Sequence, residues 1–338
     1  MLIRWLGWRL LGSVPILLAA VLFTFLLTRW LPGDPAAFLA SGNATPQEIA
    51  ALRASLGLDD SLPLQLLHYV AGLLQGDWGQ SHVTGQPVAH DLLDRLPASL
   101  ELTLSAFALT LLTGIPLGVA AALHPGSGWD RWCRALSTLG TCLPAFVVGV
   151  LLLYVFYFLL GWAPEPIGRL DVFIVPPPDV TGSVVIDSLW AASGEALRSS
   201  LGHLVLPSVT MAVFGMAPLA RATRAAMLGA LSSEPVRTAR SLGLHKRMVL
   251  WHYALRLAAL PILTTSGMVF SYMLGANVVV EKVFAWPGMG SYALDALMSA
   301  DHAPLQGFIL LVALLFTAVN LLVDLLAALI DPRTVVAA

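Results

Sequence analysis

Charge is scarce in this chain. Of its 338 residues only 11% are charged and 57% are hydrophobic, whereas an ordinary soluble domain is about 25% charged. That balance argues against a water-soluble globule and for a membrane-embedded chain. Cysteine is almost missing: Cys133 and Cys142 stand nine residues apart in or beside an apolar stretch. This suits neither a disulfide framework nor a zinc site with paired ligands, and both read as packing residues. Lysine is rarer than arginine, with only Lys246 after His245 and Lys282 after Glu281. The phosphate loop Gly-x-x-x-x-Gly-Lys-Ser/Thr therefore cannot be formed, and ATP would have to be hydrolysed elsewhere. No Ser, His and Asp set or Cys and His pair has the setting of a nucleophilic site, so no catalytic residue is expected. The net charge of −2 suggests no nucleic-acid partner. Neither a low-complexity tract nor an internal repeat is visible.

What is abundant is apolar sequence in long runs. A hydrocarbon core of about 30 Å needs roughly 20 mostly apolar helical residues. Six stretches qualify, approximately Leu10 to Leu27, Leu102 to Leu123, Ala135 to Leu160, His203 to Ala220, Leu257 to Val280 and Gly307 to Ile330. The fourth is interrupted by Pro207 and Pro218, which neighbouring helices can accommodate. With the N-terminus inside, twelve of the 18 basic residues fall on inner segments, opposed there only by Asp130, Glu234 and Asp331. The positive-inside rule then places both termini in the cytoplasm. The first run, preceded by Arg4 and Arg9, lacks a small-residue cleavage site and reads as a retained helix rather than a signal peptide.

The fold class expected is thus an all-α polytopic membrane protein with six transmembrane helices. Residues 1–31 form the cytoplasmic N-terminus and first span, 32–101 an extracytoplasmic insertion, 102–330 the transmembrane core, and 331–338 a cytoplasmic tail. In the insertion Thr45 can cap a helix that has Pro46 in its first turn and Glu48 three residues on. The second outer segment, 162–202, is rich in proline at Pro164, Pro166 and Pro176-Pro177-Pro178 and reads as an ordered loop of extended pieces. His82, His90 and Asp91 lie outside without firm ligand spacing, and no metal site is expected from them.

The segment between spans four and five, residues 233–244, reads as a short helix marked at both ends. Ser233 can cap it, Glu234 complements the helix dipole, Pro235 fits its first turn, and Gly243 supplies a left-handed stop. Arg237 and Arg240 share a face, opposite or beside Val236, Ala239 and Gly243. Such a helix suits docking into another protein's groove; its spacing equally suits a solvated positive-inside loop.

Arg237-Thr238-Ala239-Arg240-Ser241-Leu242-Gly243-Leu244 resembles the coupling-helix motif of the dipeptide, oligopeptide and nickel permease family of ATP-binding-cassette importers. Further matches follow in the family's order: Pro32-Gly33-Asp34-Pro35, Leu56-Gly57-Leu58-Asp59, Gly76-Asp77-Trp78-Gly79-Gln80-Ser81, Gly114-Ile115-Pro116-Leu117-Gly118, Glu281 through Val283-Phe284-Ala285-Trp286-Pro287-Gly288-Met289-Gly290, and Asp331-Pro332-Arg333. The chain departs from the pattern at Arg237, where the wider importer motif has Glu, and at Tyr253 and Leu257, where this branch often has His and Asn. The resemblance implies the type I importer permease fold in a bacterial inner membrane, moving peptides, nickel or metal chelates by alternating access. It implies ATPase coupling through Glu234, Arg237, Thr238, Ala239, Arg240, Gly243 and Leu244. It also implies a second homologous permease, two cytoplasmic ATPase subunits or domains that bind ATP and Mg, and an extracytoplasmic solute-binding protein. No cofactor is expected in this chain.

Two carboxylates stand apart. Asp324 lies well inside the last span, where a charge is costly; it belongs either to a solute path or gate, or to a structural contact near the inner end, and the resemblance favours the second. Glu281, at the outer end of span five, either faces the pathway or reaches the headgroups. An ion-coupled secondary carrier would need more such groups near the midplane, and a membrane-embedded hydrolase a reactive constellation.

Overall fold

The computed structural model describes residues 2–30, 45–55 and 59–331. The motif residues Pro32-Gly33-Asp34-Pro35, Leu56-Gly57-Leu58 and Pro332-Arg333 lie outside them. Among the described residues regular structure is helical, save one antiparallel bridge between Gln80 and Pro87. In chain order the helices are α1 (Leu2–Trp30), α2 (Pro46–Ser55), α3 (Leu62–Leu74), α4 (Val88–Leu123), α5 (Gly128–Cys142) and α6 (Ala145–Leu152), which continues in π-helical turns over Leu153–Leu159. Then come α7 (Val184–Trp190), α8 (Gly194–Ser232), α9 (Glu234–Ser241) and α10 (Lys246–Met248), which passes through π-helical Val249–Ala254 into α11 (Leu255–Val283). Helices α12 (Met289–Met298) and α13 (His302–Ile330) complete the chain.

Helix is what a bilayer demands, because backbone amides and carbonyls find no water there and must pair within their own segment. Among the described residues five helices are long and apolar enough to cross: Gly7–Leu27 within α1, α4, α8, the continuous Lys246–Val283, and α13. The third expected span, 135–160, is not one helix. It divides at Leu143 and Pro144, since Pro144 has no N–H to donate and disfavours helical backbone at the residue before it. Beyond the break, α6 and its π-helical turns hold eight and seven residues, about 22 Å of helix, shorter than the other five. The six-span architecture stands, with its third member built in two pieces.

The helices also overrun the apolar runs. Residues 88–101, expected in the outer insertion, form the opening turns of α4. Helix α8 extends beyond 203–220 at both ends and is not broken by Pro207 or Pro218. The proline-rich loop keeps no regular structure from 163 to 183; Arg169 there donates to the Gly182 carbonyl at 2.7 Å and lies 3.4 Å from the Glu101 carboxylate. Thr45 and Glu48 form the reciprocal cap at α2: the Glu48 amide donates to the Thr45 hydroxyl at 3.3 Å and the Thr45 amide to the Glu48 carboxylate at 2.7 Å.

The core is centred on α4 and α8, with α11 packed against both. Without a hydrophobic drive between helices in lipid, close approach through small residues carries the association. Gly118 of α4 lies against Ala220 and Thr223, Gly140 of α5 against Ala217, and Gly215 of α8 against Met273 and Thr110. A Cβ at Gly118 would stand 2.6 Å from the Ala220 carbonyl oxygen, well inside contact distance. Gly118→Val is expected to lower the thermal midpoint of the detergent-solubilised protein, corresponding to about 1–3 kcal/mol of overpacking. Gly12→Ala, where an added Cβ meets nothing within 4 Å, is the control expected to leave the midpoint unchanged.

Candidate functional site

Helix α9 hangs between α8 and the long α10–α11 rod. Val236 and Ala239, 0% and 2% exposed, face inward and join a buried cluster with Met227 and Ala230 of α8 and with Val249 and Ala254 of the rod. Arg237, Thr238, Arg240 and Ser241 are exposed on the other side. Glu234 and Arg237 pair at 2.9 Å, but both are well exposed, and exposed pairs contribute at most about 1 kcal/mol. Burial of the small apolar face, rather than that ion pair, seats the helix.

The ends differ in one respect from expectation. Ser233 occupies the N-cap position, yet its hydroxyl does not cap α9; it donates backward to the Ala230 carbonyl at 2.6 Å and closes α8 instead. At the other end Gly243 adopts φ +72°, the left-handed conformation that stops the helix. Its amide bonds the Arg240 carbonyl at 3.0 Å, and the Leu244 amide bonds that of Ala239 at 3.2 Å. Leu244 then packs back on the buried cluster, and the His245 ring accepts the Arg247 amide at 3.3 Å to open α10. Gly243 itself is exposed and does not belong to the buried small-residue face.

Directly after the helix stands Leu242, 74% exposed. It adds apolar area at the edge of the candidate docking surface. Leu242, an apolar residue between Ser241 and Gly243 in a polar segment, is the signal by which the sequence could have shown this.

The two singled-out carboxylates do not meet the helix. Glu281 is 0% exposed and enclosed by protein donors. Ser99 of α4 donates to it at 2.5 Å, Asn277 at 2.7 Å and the Ser291 amide of α12 at 2.8 Å. The Trp-Pro-Gly turn closes over it: the Trp286 indole donates to the Ala98 carbonyl at 2.8 Å, and the Met289 amide to the Ser99 hydroxyl at 2.8 Å. Side chains at Gly288 or Gly290 would run into the carboxylate, which is why this motif carries glycine at both places. Asp324 meets Arg9 of α1 at 3.0 Å. That ion pair gives Asp324 a structural contact with the first helix.

Sequence reasoning also missed Asp130. Its carboxylate accepts from Arg224 of α8 at 2.6 Å and from the Gly126 amide at 2.9 Å, with Arg134 at 3.5 Å. Asp91, in turn, accepts from Thr84 and from the Tyr292 hydroxyl and pairs with Arg95, joining α4 to α12. Arg95, Arg134 and Gly126 lie four residues from their acids, but nothing in the local pattern marks Arg224 or Tyr292, which stand far off along the chain. Cys133 is buried as a packing residue should be, whereas Cys142 is exposed.

Two family models cover the chain. Residues 114–336 match the binding-protein-dependent transport system inner membrane component, and residues 2–103 match the N-terminal region of the same kind of membrane component. The chain belongs to this family. A probable D,D-dipeptide transport system permease of Escherichia coli is 38% identical over 95% of this chain and 94% of its own. A di/tripeptide transport system permease of Pseudomonas aeruginosa is 38% identical over 95% of each, and a glutathione transport system permease of Salmonella typhimurium 36% over 96% of each. The protein is accordingly a multi-pass inner-membrane permease subunit of an ATP-binding-cassette importer, with the type I fold, and not an ion-coupled secondary carrier. Its relatives are transport permeases rather than enzymes.

Two outcomes follow for this importer permease. Glu281→Ala leaves the Ser99 hydroxyl, the Asn277 amide and the Ser291 N–H without their acceptor, at about 1–3 kcal/mol for each buried group left unpaired. A clear drop in thermal midpoint is expected, smaller in Glu281→Gln, which keeps one carbonyl acceptor. The second concerns acid. The Arg224 guanidinium and the Gly126 amide hold the Asp130 carboxyl below the ordinary carboxylate range. A carboxylate so depressed stabilises the fold above its unfolded pKa of about 4 and ceases to do so as pH falls through the folded value. Thermal midpoints measured below about pH 4 should therefore fall less steeply in Asp130→Asn than in the native protein.

Proposed function

We propose that this subunit takes up peptides, with α9 as the element through which partner ATPases drive the spans. Peptide is favoured over nickel or a metal chelate because the similar permeases are named for dipeptides, di- and tripeptides and glutathione. The observation that carries the coupling assignment is the division of α9 into a buried face and a basic exposed one. Glu234, Arg237, Thr238 and Arg240 would meet the ATPase, Val236 and Ala239 would pass the displacement inward, and Gly243 and Leu244 would hold the exit of the helix. ATP and Mg would be bound by two ATPase subunits or domains. A second permease and an extracytoplasmic solute-binding protein would complete the assembly, and the binding protein would make much of the solute selection.

In this reading both termini are cytoplasmic, as the arginine distribution favours. Residues 32–101 lie outside and 102–330 form the core with its coupling helix, the two sharing α4. Asp324 and Glu281 act as structural ties, the first between the first and last spans and the second at the outer end of span five. Closure of the ATPases would swing α9 and its neighbours as a rigid body and alternate access to a central path.

ATP-dependent dipeptide uptake into vesicles holding the complete complex tests this. Arg237→Glu with Arg240→Glu, and separately Gly243→Pro, are expected to insert and assemble but to lose uptake and uptake-linked ATP hydrolysis. Native rates in both variants would remove α9 from the mechanism, and uptake of nickel in place of dipeptides would overturn the substrate assignment.

A further inference from the structure

The α5 and α8 helices carry two cavities, one following the other. The first, about 340 Å³, is lined by Cys133, Arg134, Ser137, Thr138, Arg221 and Arg224. One turn along the same helix pair, at Gly140 and Pro218, begins the second, about 580 Å³, bounded further by Leu143, Phe214, Met268 and Tyr272. The break at Pro144 opens it, because α5 ends there and α6 sets off afresh.

The two cavities differ in chemistry. Three guanidinium groups line the first, and among the described residues the carboxylate paired with them is Asp130, bound to Arg224 at 2.6 Å and near Arg134 at 3.5 Å. Arg221 donates to the Ser137 carbonyl at 3.0 Å, which leaves its charge unneutralised. The cavity therefore keeps an excess of positive charge, in the guanidinium geometry that receives phosphate oxygens. Among the described residues, none that lines the second cavity is charged. Trp129 and Trp132, 59% and 63% exposed on α5, mark the level of a membrane–water interface. An anionic group beside an apolar slot, at that level, is the shape and polarity of a phospholipid.

We propose that the paired cavities bind an anionic phospholipid, with its phosphate at Arg134 and Arg221 and an acyl chain in the slot at the Pro144 break. The proposal rests on the family's place in the membrane and on neither the peptide nor the coupling assignment, so it stands or falls apart from them. It also accounts for the two-piece third span, since a lipid chain fills the gap that a continuous helix would close.

The test is a titration of the purified full-length protein in detergent, read by native mass spectrometry. The probes are phosphatidylglycerol, phosphatidylcholine of the same acyl chains, and inorganic phosphate. The native protein is expected to prefer phosphatidylglycerol, and inorganic phosphate to fail to displace it. Arg134→Gln with Arg221→Gln should weaken phosphatidylglycerol binding about thirtyfold, from about 1 kcal/mol for each basic residue at the membrane surface, and remove the preference. Met268→Trp, at an exposed position that lines the apolar slot, should weaken both lipids. Unchanged phosphatidylglycerol binding in either variant overturns the proposal. So does inorganic phosphate that binds as tightly as the lipid, because the site would then be an anion cleft with no place for a chain.

Discussion

Glu281, a fully buried carboxylate, gathers three helices at one end of this bundle. Glu281 sits at the close of α11 with no exposed surface, and three donors from α4, α11 and the start of α12 converge on it. Left unpaired, a polar group so placed costs far more than a surface one, so the surrounding backbone is arranged to serve it. The Trp286-Pro287-Gly288 turn must close tightly, glycine must stand at 288 and 290, and α4 must begin early enough to present Ser99. The ledge of helix at 88–101 that precedes the apolar run of α4 is thus explained by a residue nearly two hundred positions away.

The same rod ends at its other pole in α9. From Lys246 to Val283 the chain is continuous helix, with π-helical turns at Val249–Ala254 where α9 packs. Val236 and Ala239 are small, yet both are enclosed, and their burial seats the helix. A push on the basic face would meet α8 and the π-helical turns that lead into α11, and α11 is tied to α4 and α12 at its far end by Glu281. In the proposed mechanism this double anchorage turns a displacement of one short helix into a movement of the core.

Much of this was legible beforehand and some was not, for reasons that particular residues show. Long apolar runs announced the spans, and Gly243 announced its left-handed stop, because both signals are local. Hydropathy, however, averages over its window, so the run from Ala135 to Leu160 hid the break that Pro144 makes. Ser233 was a sound cap by residue type, but its hydroxyl found the Ala230 carbonyl closer to hand. Glu281, Asp324 and Asp130 were visible as isolated acids, whereas Ser99, Arg9 and Arg224, which give them meaning, lie at sequence distances no spacing rule spans. The basic segment 233–244 could have been a solvated loop or a docking helix; burial of Val236 and Ala239 distinguishes a seated helix from a loop.

The account stands most directly on α9 and the core moving as one body. Spin labels at Ser241 on α9 and at Leu201 toward the far end of α8, both exposed, would report the distance between them by pulsed electron paramagnetic resonance in the assembled transporter during uptake. The account predicts the same distance distribution with and without ATP. A shift of several ångströms or a marked broadening on ATP binding would show α9 sliding or unseating, and would contradict it.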